Sequence, residues 1–179
     1  ADRLPAGGTR LALRTAARPL WLHTDGVLME RVLRNLIGNA VKYAAEGNIL
    51  IAVRMLPDGG VGIEVRDAGR GIAEADQRRV FDEFFQAATD VGHRDGLGLG
   101  LAIVQRFTRL LGMSITLRSA PGRGSTFRLA IPAALVMAPP LAEQATLAAS
   151  KADTTESLRL LVIDDDHDAR DSLALVLKQ

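Results

Sequence analysis

The sequence predicts an α/β protein built as a two-layer sandwich, in which a mixed sheet of roughly five strands faces about three helices. Two long segments, residues 27–45 and 97–111, place apolar side chains at helical spacing. Two pairs of strand-like runs are each separated by a turn containing proline and glycine, which is typical of β-hairpins. Because helices and hairpins alternate along the chain, the helices are expected on one face of the sheet.

The first elements are two short strands and a helix. Residues 10–14 and 20–23 predict the strands. Asp25 stands where the N-cap of the first helix is expected, and Gly47 supplies the stop. The helix therefore occupies about residues 27–45.

The hairpins follow on either side of the second helix. Residues 48–55 and 61–66 predict the first hairpin, and residues 113–118 and 125–131 predict the last. Between them, residues 74–85 form a short amphipathic stretch that predicts the third helix.

The chain divides into a domain, a linker and a fragment of a second domain. Residues 1–134 form the first domain, and residues 135–157 are rich in Ala, Pro and Ser, which predicts a linker. Residues 158–179 read as a buried strand, three aspartates and a helix, the opening of another α/β domain. The first residue is not Met, so we expect a piece of a longer protein.

Composition excludes several classes of function. Hydrophobic residues make up 47% of the 179, enough for a packed core. The formal net charge of +1 predicts partners other than nucleic acid or a membrane surface. The chain has no cysteine, which excludes disulfides and thiolate chemistry. No apolar run approaches the roughly 20 residues of a membrane span.

Polar side chains share one face of the first predicted helix. Asn35, Asn39 and Lys42 lie four and then three residues apart, which places them on a single stripe. An Asn oxygen is a neutral ligand suited to Mg²⁺, and a Lys ammonium complements phosphate. The alternative interpretation is a solvated helix face.

A carboxylate and two glycines follow the fourth predicted strand. Asp67 could accept a hydrogen bond from the amino group of a purine, while Gly69 and Gly71 let a flat ring approach the backbone. An ordinary Asp-containing turn is the alternative.

Three glycines precede the second long helix. Gly96, Gly98 and Gly100 would bring backbone close to phosphate at a helix N-terminus. The dinucleotide fingerprint fails because Leu101 breaks its register, and no P-loop sequence exists. A flexible hinge is the remaining alternative.

The segment before these glycines is polar, and a phenylalanine cluster precedes it. Residues 86–96 contain little apolar material, which predicts a mobile lid over a ligand. Phe81, Phe84 and Phe85 are either core residues or a latch that docks this lid.

In succession these motifs resemble those of sensor histidine kinases. They are "ERVLRNLIGNAVKYA", "DAGRGI", "FDEFF", "GLGLGLAIV" and "GRGSTF", and the resemblance covers about residues 9–134. It implies the Bergerat ATP-binding fold, with ATP and Mg²⁺ as ligands.

The resemblance also implies roles for individual residues. Asn39 would bind Mg²⁺, with Asn35 and Lys42 on the phosphate side. Asp67 would accept from the adenine amino group, with Tyr43 near the adenine or ribose. The remaining implied ATP-binding residues are Gly69, Gly71, Ile72, Gly96, Leu97, Gly98, Gly100 and Thr126.

The end of the chain resembles the start of a receiver domain. Asp164 and Asp165 match the acidic pair that holds Mg²⁺ beside a phosphoacceptor Asp on a later strand. The resemblance thus implies a cytoplasmic part of a hybrid kinase. Its partners would be a His-bearing dimerisation domain and a receiver, either in cis or as a separate response regulator.

Family members that act as kinases carry the phosphorylated His on a helical hairpin upstream. No such hairpin is seen before Arg10, so we expect no autophosphorylation by this chain alone.

Two alternatives to a kinase domain stay open. ATP hydrolases of the same fold need a Glu four residues before the metal-binding Asn, a position held here by Asn35. A non-catalytic docking module that binds nucleotide is the second alternative.

Overall fold

A computed structural model describes residues 10–16, 18–44, 47–86 and 97–138 of the chain. The chain divides into two compact units, Ala1–Pro139 and Pro140–Gln179, and every described residue belongs to the first. The predicted receiver fragment, with Asp164 and Asp165, lies outside the described residues.

Five strands form the main sheet, in the spatial order β1-β3-β4-β6-β5. The first strand pairs in parallel with β3, and the other pairs are antiparallel, so the sheet is mixed as predicted. The strands are β1 (Arg10–Arg14), β3 (Asn48–Met55), β4 (Val61–Asp67), β5 (Ser114–Ser119) and β6 (Ser125–Ile131).

Two α-helices, α1 (Gly26–Tyr43) and α2 (Gly100–Leu110), pack on the sheet and on each other. Asp25 caps α1 as predicted, because its Oδ1 accepts a hydrogen bond of 3.0 Å from the Leu28 N–H. Helix α2 begins without a side-chain cap. The α/β sandwich predicted from the sequence is therefore confirmed.

Strand alternation and the apolar stripe of α1 build the core together. Along β6 the buried residues alternate with half-buried ones, as expected where one sheet face packs on helices. Leu36 of α1 and Leu129 and Ile131 of β6 are fully buried in the layer between. This layer holds the C-terminal part of α1 against the sheet, where the functional residues lie.

The segment predicted as the third helix is not α-helical. The segment forms two short 3₁₀ helices, Glu74–Asp76 and Arg79–Phe81, joined by a turn. Between them the Gln77 side chain donates to the carbonyl oxygens of Ile72 (3.2 Å) and Ser119 (2.8 Å). The bond to Ser119 joins the segment to the end of β5, a tertiary contact of the kind that overrides helical periodicity.

A second, two-stranded sheet lies apart from the main one. Here β2 (Trp21–Leu22) pairs antiparallel with β7 (Val136–Met137). The strand predicted at residues 20–23 is thus present but shorter. Its partner β7 begins at Val136, two residues beyond the predicted end of the domain at residue 134. No helix within the described part of the chain is long and apolar enough to span a bilayer.

Candidate functional site

A cavity of about 670 Å³ lies between α1, the end of β4 and the start of α2. Ten of the residues predicted to bind a nucleotide line it: Asn35, Asn39, Lys42, Tyr43, Asp67, Gly71, Ile72, Leu97, Gly98 and Gly100. Residues that lie far apart in sequence therefore meet at one site.

The polar stripe of α1 forms one wall of this cavity. Asn35, Asn39 and Lys42 face it, while Leu36 and Ala40 turn into the core. The two asparagines are half-buried there and Lys42 is exposed, so the stripe lines the cavity while staying open to solvent.

Asn35 also contacts the start of α2. Its Nδ2 donates to the Arg31 carbonyl oxygen at 2.8 Å, which fixes the orientation of the amide. A Cβ added to Gly100 would lie 2.8 Å from Asn35 Oδ1, so the close approach of the two helices depends on that glycine.

Asp67 ends β4 on the opposite wall and is only 4% exposed. Its Oδ1 accepts hydrogen bonds from the backbone N–H groups of Gly69 (2.9 Å) and Ser125 (3.2 Å). Burial raises the pKa of this carboxyl above its ordinary value, and the two hydrogen bonds oppose that rise. Since both bonds go to Oδ1, the carboxylate can accept from a ligand through Oδ2.

The loop after Asp67 fits closely against its neighbours. A Cβ on Gly69 would overlap the carbonyl oxygen of Tyr43. Gly71 has a φ of +72°, and a Cβ there would overlap the carbonyl oxygen of Ala120. Both positions therefore require glycine for space, and Gly71 requires it for conformation as well.

A hydroxyl cluster ties this loop to the β5–β6 hairpin. Ser119 Oγ accepts from the Ile72 N–H at 2.8 Å and donates to the Gly124 carbonyl oxygen at 2.9 Å. It also lies 3.0 Å from Ser125 Oγ. The hairpin and the loop that bears the predicted purine-binding residues thus form one rigid wall.

The glycine-rich segment forms the end of the cavity nearest α2. Gly98 has a φ of +69°, and its carbonyl oxygen accepts from the Phe84 N–H at 3.1 Å. Because α2 starts at Gly100 without a side-chain cap, its first N–H groups are suited to an anion. Gly96 lies outside the described residues, as does the predicted lid beyond Gln86.

Of the described site residues, Gly69 and Thr126 do not line the cavity, and for Thr126 the pleat of the strand gives the reason. In β6 the buried Ser125 and Phe127 line the cavity, and side chains alternate between the two faces of a strand. Thr126 therefore projects from the opposite face, where its register partners are Arg66 and Arg118. Ser125, which pairs with Asp67 across β4 and β6, takes its place in the site.

Other lining residues were missed by sequence reasoning. The alternation of β6 after the Gly122–Gly124 turn is the signal that would have found Ser125 and Phe127. Arg70 also lines the cavity, and it lies within the "DAGRGI" motif at a position to which the motif assigns no role.

The cavity residues could hold a magnesium ion only together with a bound ligand that supplies further oxygen atoms. No group of three or more His, Asp or Glu side chains that could hold a metal occurs in the described ranges. Mg²⁺ commonly takes one or two protein oxygens and completes its shell with phosphate and water. The Asn39 amide oxygen, on the cavity wall near Lys42, is such a donor.

A family model described as "Histidine kinase-, DNA gyrase B-, and HSP90-like ATPase" matches residues 24–135. The chain belongs to this family.

Named relatives narrow the class to sensor histidine kinases. The virulence sensor protein BvgS of Bordetella bronchiseptica is 41% identical over 150 residues, which cover 79% of this chain and 12% of BvgS. The signal transduction histidine-protein kinase BarA of Escherichia coli K12 is 44% identical over 108 residues, 58% of this chain and 12% of BarA. The domain described here is thus the ATPase domain of that kinase class, and the chain spans about an eighth of these relatives.

Solved structures of histidine kinases share the fold. Full-length ShkA in complex with AMPPNP superposes with a TM-score of 0.65 and 30% identity, over 75% of this chain and 27% of ShkA. The nucleotide-free catalytic domain of ThkA gives a TM-score of 0.59 and 27% identity, over 69% of this chain and 78% of that domain.

Proposed function

We propose that this chain binds Mg·ATP and presents the γ-phosphate for transfer to a histidine on a separate dimerisation and phosphoacceptor domain. The observation that carries the proposal is one cavity lined both by the buried Asp67 carboxylate and by the polar stripe of α1, which would serve as its two ends. Asp67 offers a buried acceptor at one end, and Asn39 and Lys42 offer a metal ligand and a cation at the other.

The Asp67 end suits a purine base. Adenine carries an exocyclic amino group that can donate to the carboxylate, and the apolar Ile72 and Phe127 lie beside it on the cavity wall. Ser125, in place of Thr126, would present its hydroxyl to the same end.

The α1 end suits a triphosphate. Lys42 supplies positive charge, and the N-terminus of α2 offers backbone donors. Asn39 would hold Mg²⁺ together with phosphate oxygens, and that ion would neutralise charge on the transferred group. The work of the chain's own residues is then to bind and orient ATP, since phosphoryl transfer asks for positioning more than for covalent chemistry.

The wider system is a phosphorelay. We propose that the phosphate passes from the histidine to a receiver Asp, in cis or on a separate response regulator, and that this occurs in the cytoplasm. Asp164 and Asp165 would hold the Mg²⁺ of a receiver that follows the linker. The relationship to BvgS and BarA, named as a sensor and a signal transduction kinase, supports this proposal.

Transfer in trans tests the proposal. The chain is incubated with Mg²⁺, radiolabelled ATP and a separately produced helical hairpin bearing the phosphoacceptor His, taken from the same parent protein. We expect label on the hairpin, and none when Asn39 is changed to Ala. Saturable ATP binding without any transfer would support the docking alternative instead.

Hydrolysis is the weaker alternative because the position that would activate water holds Asn35 rather than a carboxylate. Its amide is already engaged with the Arg31 carbonyl oxygen. Release of phosphate to water faster than transfer to the hairpin would overturn our preference.

A further inference from the structure

Arg70 is a cavity residue with a defined place beside an aromatic ring. Its guanidinium carbon lies 4.8 Å from the centre of the Tyr43 ring, and both side chains line the cavity. On the same ring, Lys42 Nζ lies farther away, at 5.4 Å. Tyr43 thus contacts two cations, of which only the arginine presents a flat surface.

The backbone of Arg70 is held on both sides. Gly69 packs against the carbonyl oxygen of Tyr43, and Gly71 packs against that of Ala120. The Arg70 carbonyl oxygen accepts from the Gly122 N–H at 2.7 Å. Because these contacts fix the Cα of Arg70 next to the end of α1, its side chain starts from a rigid point beside Tyr43.

The place of Arg70 in the chain ties it to the loop that bears Asp67. It lies three residues after Asp67, on the loop proposed to hold the purine, and its guanidinium shares the Tyr43 ring with the Lys42 ammonium. A guanidinium plane stacks on aromatic rings and on nucleic acid bases, and an ammonium cannot reproduce that contact.

We propose that Arg70, which lies over the Tyr43 ring, is a base-stacking residue that adds to nucleotide affinity through the purine and not through the phosphates. This inference rests on the proposed function and names a further binding residue in the same site. Its contribution is that of a partly exposed cation–π and stacking contact, so its removal should weaken binding about threefold to tenfold.

The test compares ligands with and without phosphate. Adenosine and Mg·ATP are titrated into the whole chain by calorimetry or NMR, using wild type, Arg70→Ala and Arg70→Lys. Arg118→Ala is the matched control, since it removes the same charge from an exposed position on the outer face of the sheet. A thermal melt of each variant checks that the fold is retained.

We expect Arg70→Ala to weaken adenosine and ATP by the same factor, Arg70→Lys to behave like Arg70→Ala, and Arg118→Ala to bind as wild type does. A loss confined to ATP, or full rescue by Lys, would overturn the inference because charge would then be the cause. Unchanged affinity in Arg70→Ala would also overturn it.

The outcome for the proposed function is read separately. If wild type binds ATP and Asp67→Ala does not, the site is a nucleotide site whatever Arg70 does. If wild type binds neither ligand, both the proposed function and the role of Arg70 fail.

Discussion

Replacing Asp67 with Asn should separate ligand binding from stability. The two side chains have the same shape, and Asn Oδ1 can accept the same bonds from Gly69 and Ser125. The substitution removes the negative charge and places an amide donor where the carboxylate accepted. The substitution should therefore weaken nucleotide binding while the hydrogen bonds from Gly69 and Ser125 to residue 67 are kept.

The expected loss of affinity follows from the bond that disappears. A hydrogen bond to a charged group contributes about 1.5–3 kcal/mol, which corresponds to roughly 10- to 100-fold weaker ATP binding. The Asn amide would also oppose the adenine amino group, since both are donors. We expect a loss near the upper end of that range, because the Asp67 carboxylate is buried.

The effect on stability has the opposite sign. Burial raises the pKa of Asp67 in the folded state above its ordinary value of 3.8, so across that interval the folded chain binds more protons than the unfolded chain. The free energy of unfolding therefore falls as pH rises through the interval, and the penalty is fully present above the folded-state pKa. Asp67→Asn removes this dependence and should be at least as stable as wild type at pH 7.

Thermal unfolding between pH 3.5 and 7 and nucleotide titration at pH 7 measure the two effects. The matched control is Asp58→Asn, because Asp58 Oδ1 also accepts from the N–H two residues later, in an exposed turn far from the cavity. The control should leave nucleotide affinity unchanged. Wild-type affinity in Asp67→Asn would contradict the proposed role of the carboxylate in binding. A large loss of stability at pH 7 would contradict the penalty ascribed to its burial.

Three further substitutions probe the core, the contact between the helices and the outer face of the sheet. Leu36→Ala should lower the free energy of unfolding by about 2–5 kcal/mol in a denaturant titration, because Leu36 is fully buried. Gly100→Ala should weaken ATP binding with little change in melting temperature, since its Cβ would displace the Asn35 amide while improving helix propensity. Glu64→Gln should cost about 0.5–1 kcal/mol by the same titration and leave ATP affinity unchanged, because its Oε1 pairs with Arg54 and Arg128 on the face away from the cavity.

Much of the site could be predicted because it lies on regular elements. The period of α1 alone places Asn35, Asn39 and Lys42 on one stripe, and its apolar residues fix which way that stripe faces. Asp67 directly follows a strand, so its position at a sheet edge follows from the hairpin pattern. These inferences needed no knowledge of distant contacts.

The remainder depends on contacts that the sequence pattern does not encode. The third helix became 3₁₀ turns because Gln77 bonds to backbone on β5 and on the loop after β4. A strand of two residues, such as β7, has no periodicity to detect. The motif position predicts Thr126, whereas the pleat of β6 places its neighbour Ser125 in the cavity.

We propose that the cavity between α1, β4 and α2 binds Mg·ATP through its purine and its phosphates. The most direct measurement is a calorimetric titration of the chain with a non-hydrolysable ATP analogue and with the matching GTP analogue, each with and without Mg²⁺. We predict one saturable site that prefers the ATP analogue and weakens without Mg²⁺, because guanine turns an acceptor oxygen toward Asp67 where adenine offers a donor. Equal affinity for the two analogues, or no saturable binding of either, would contradict the account.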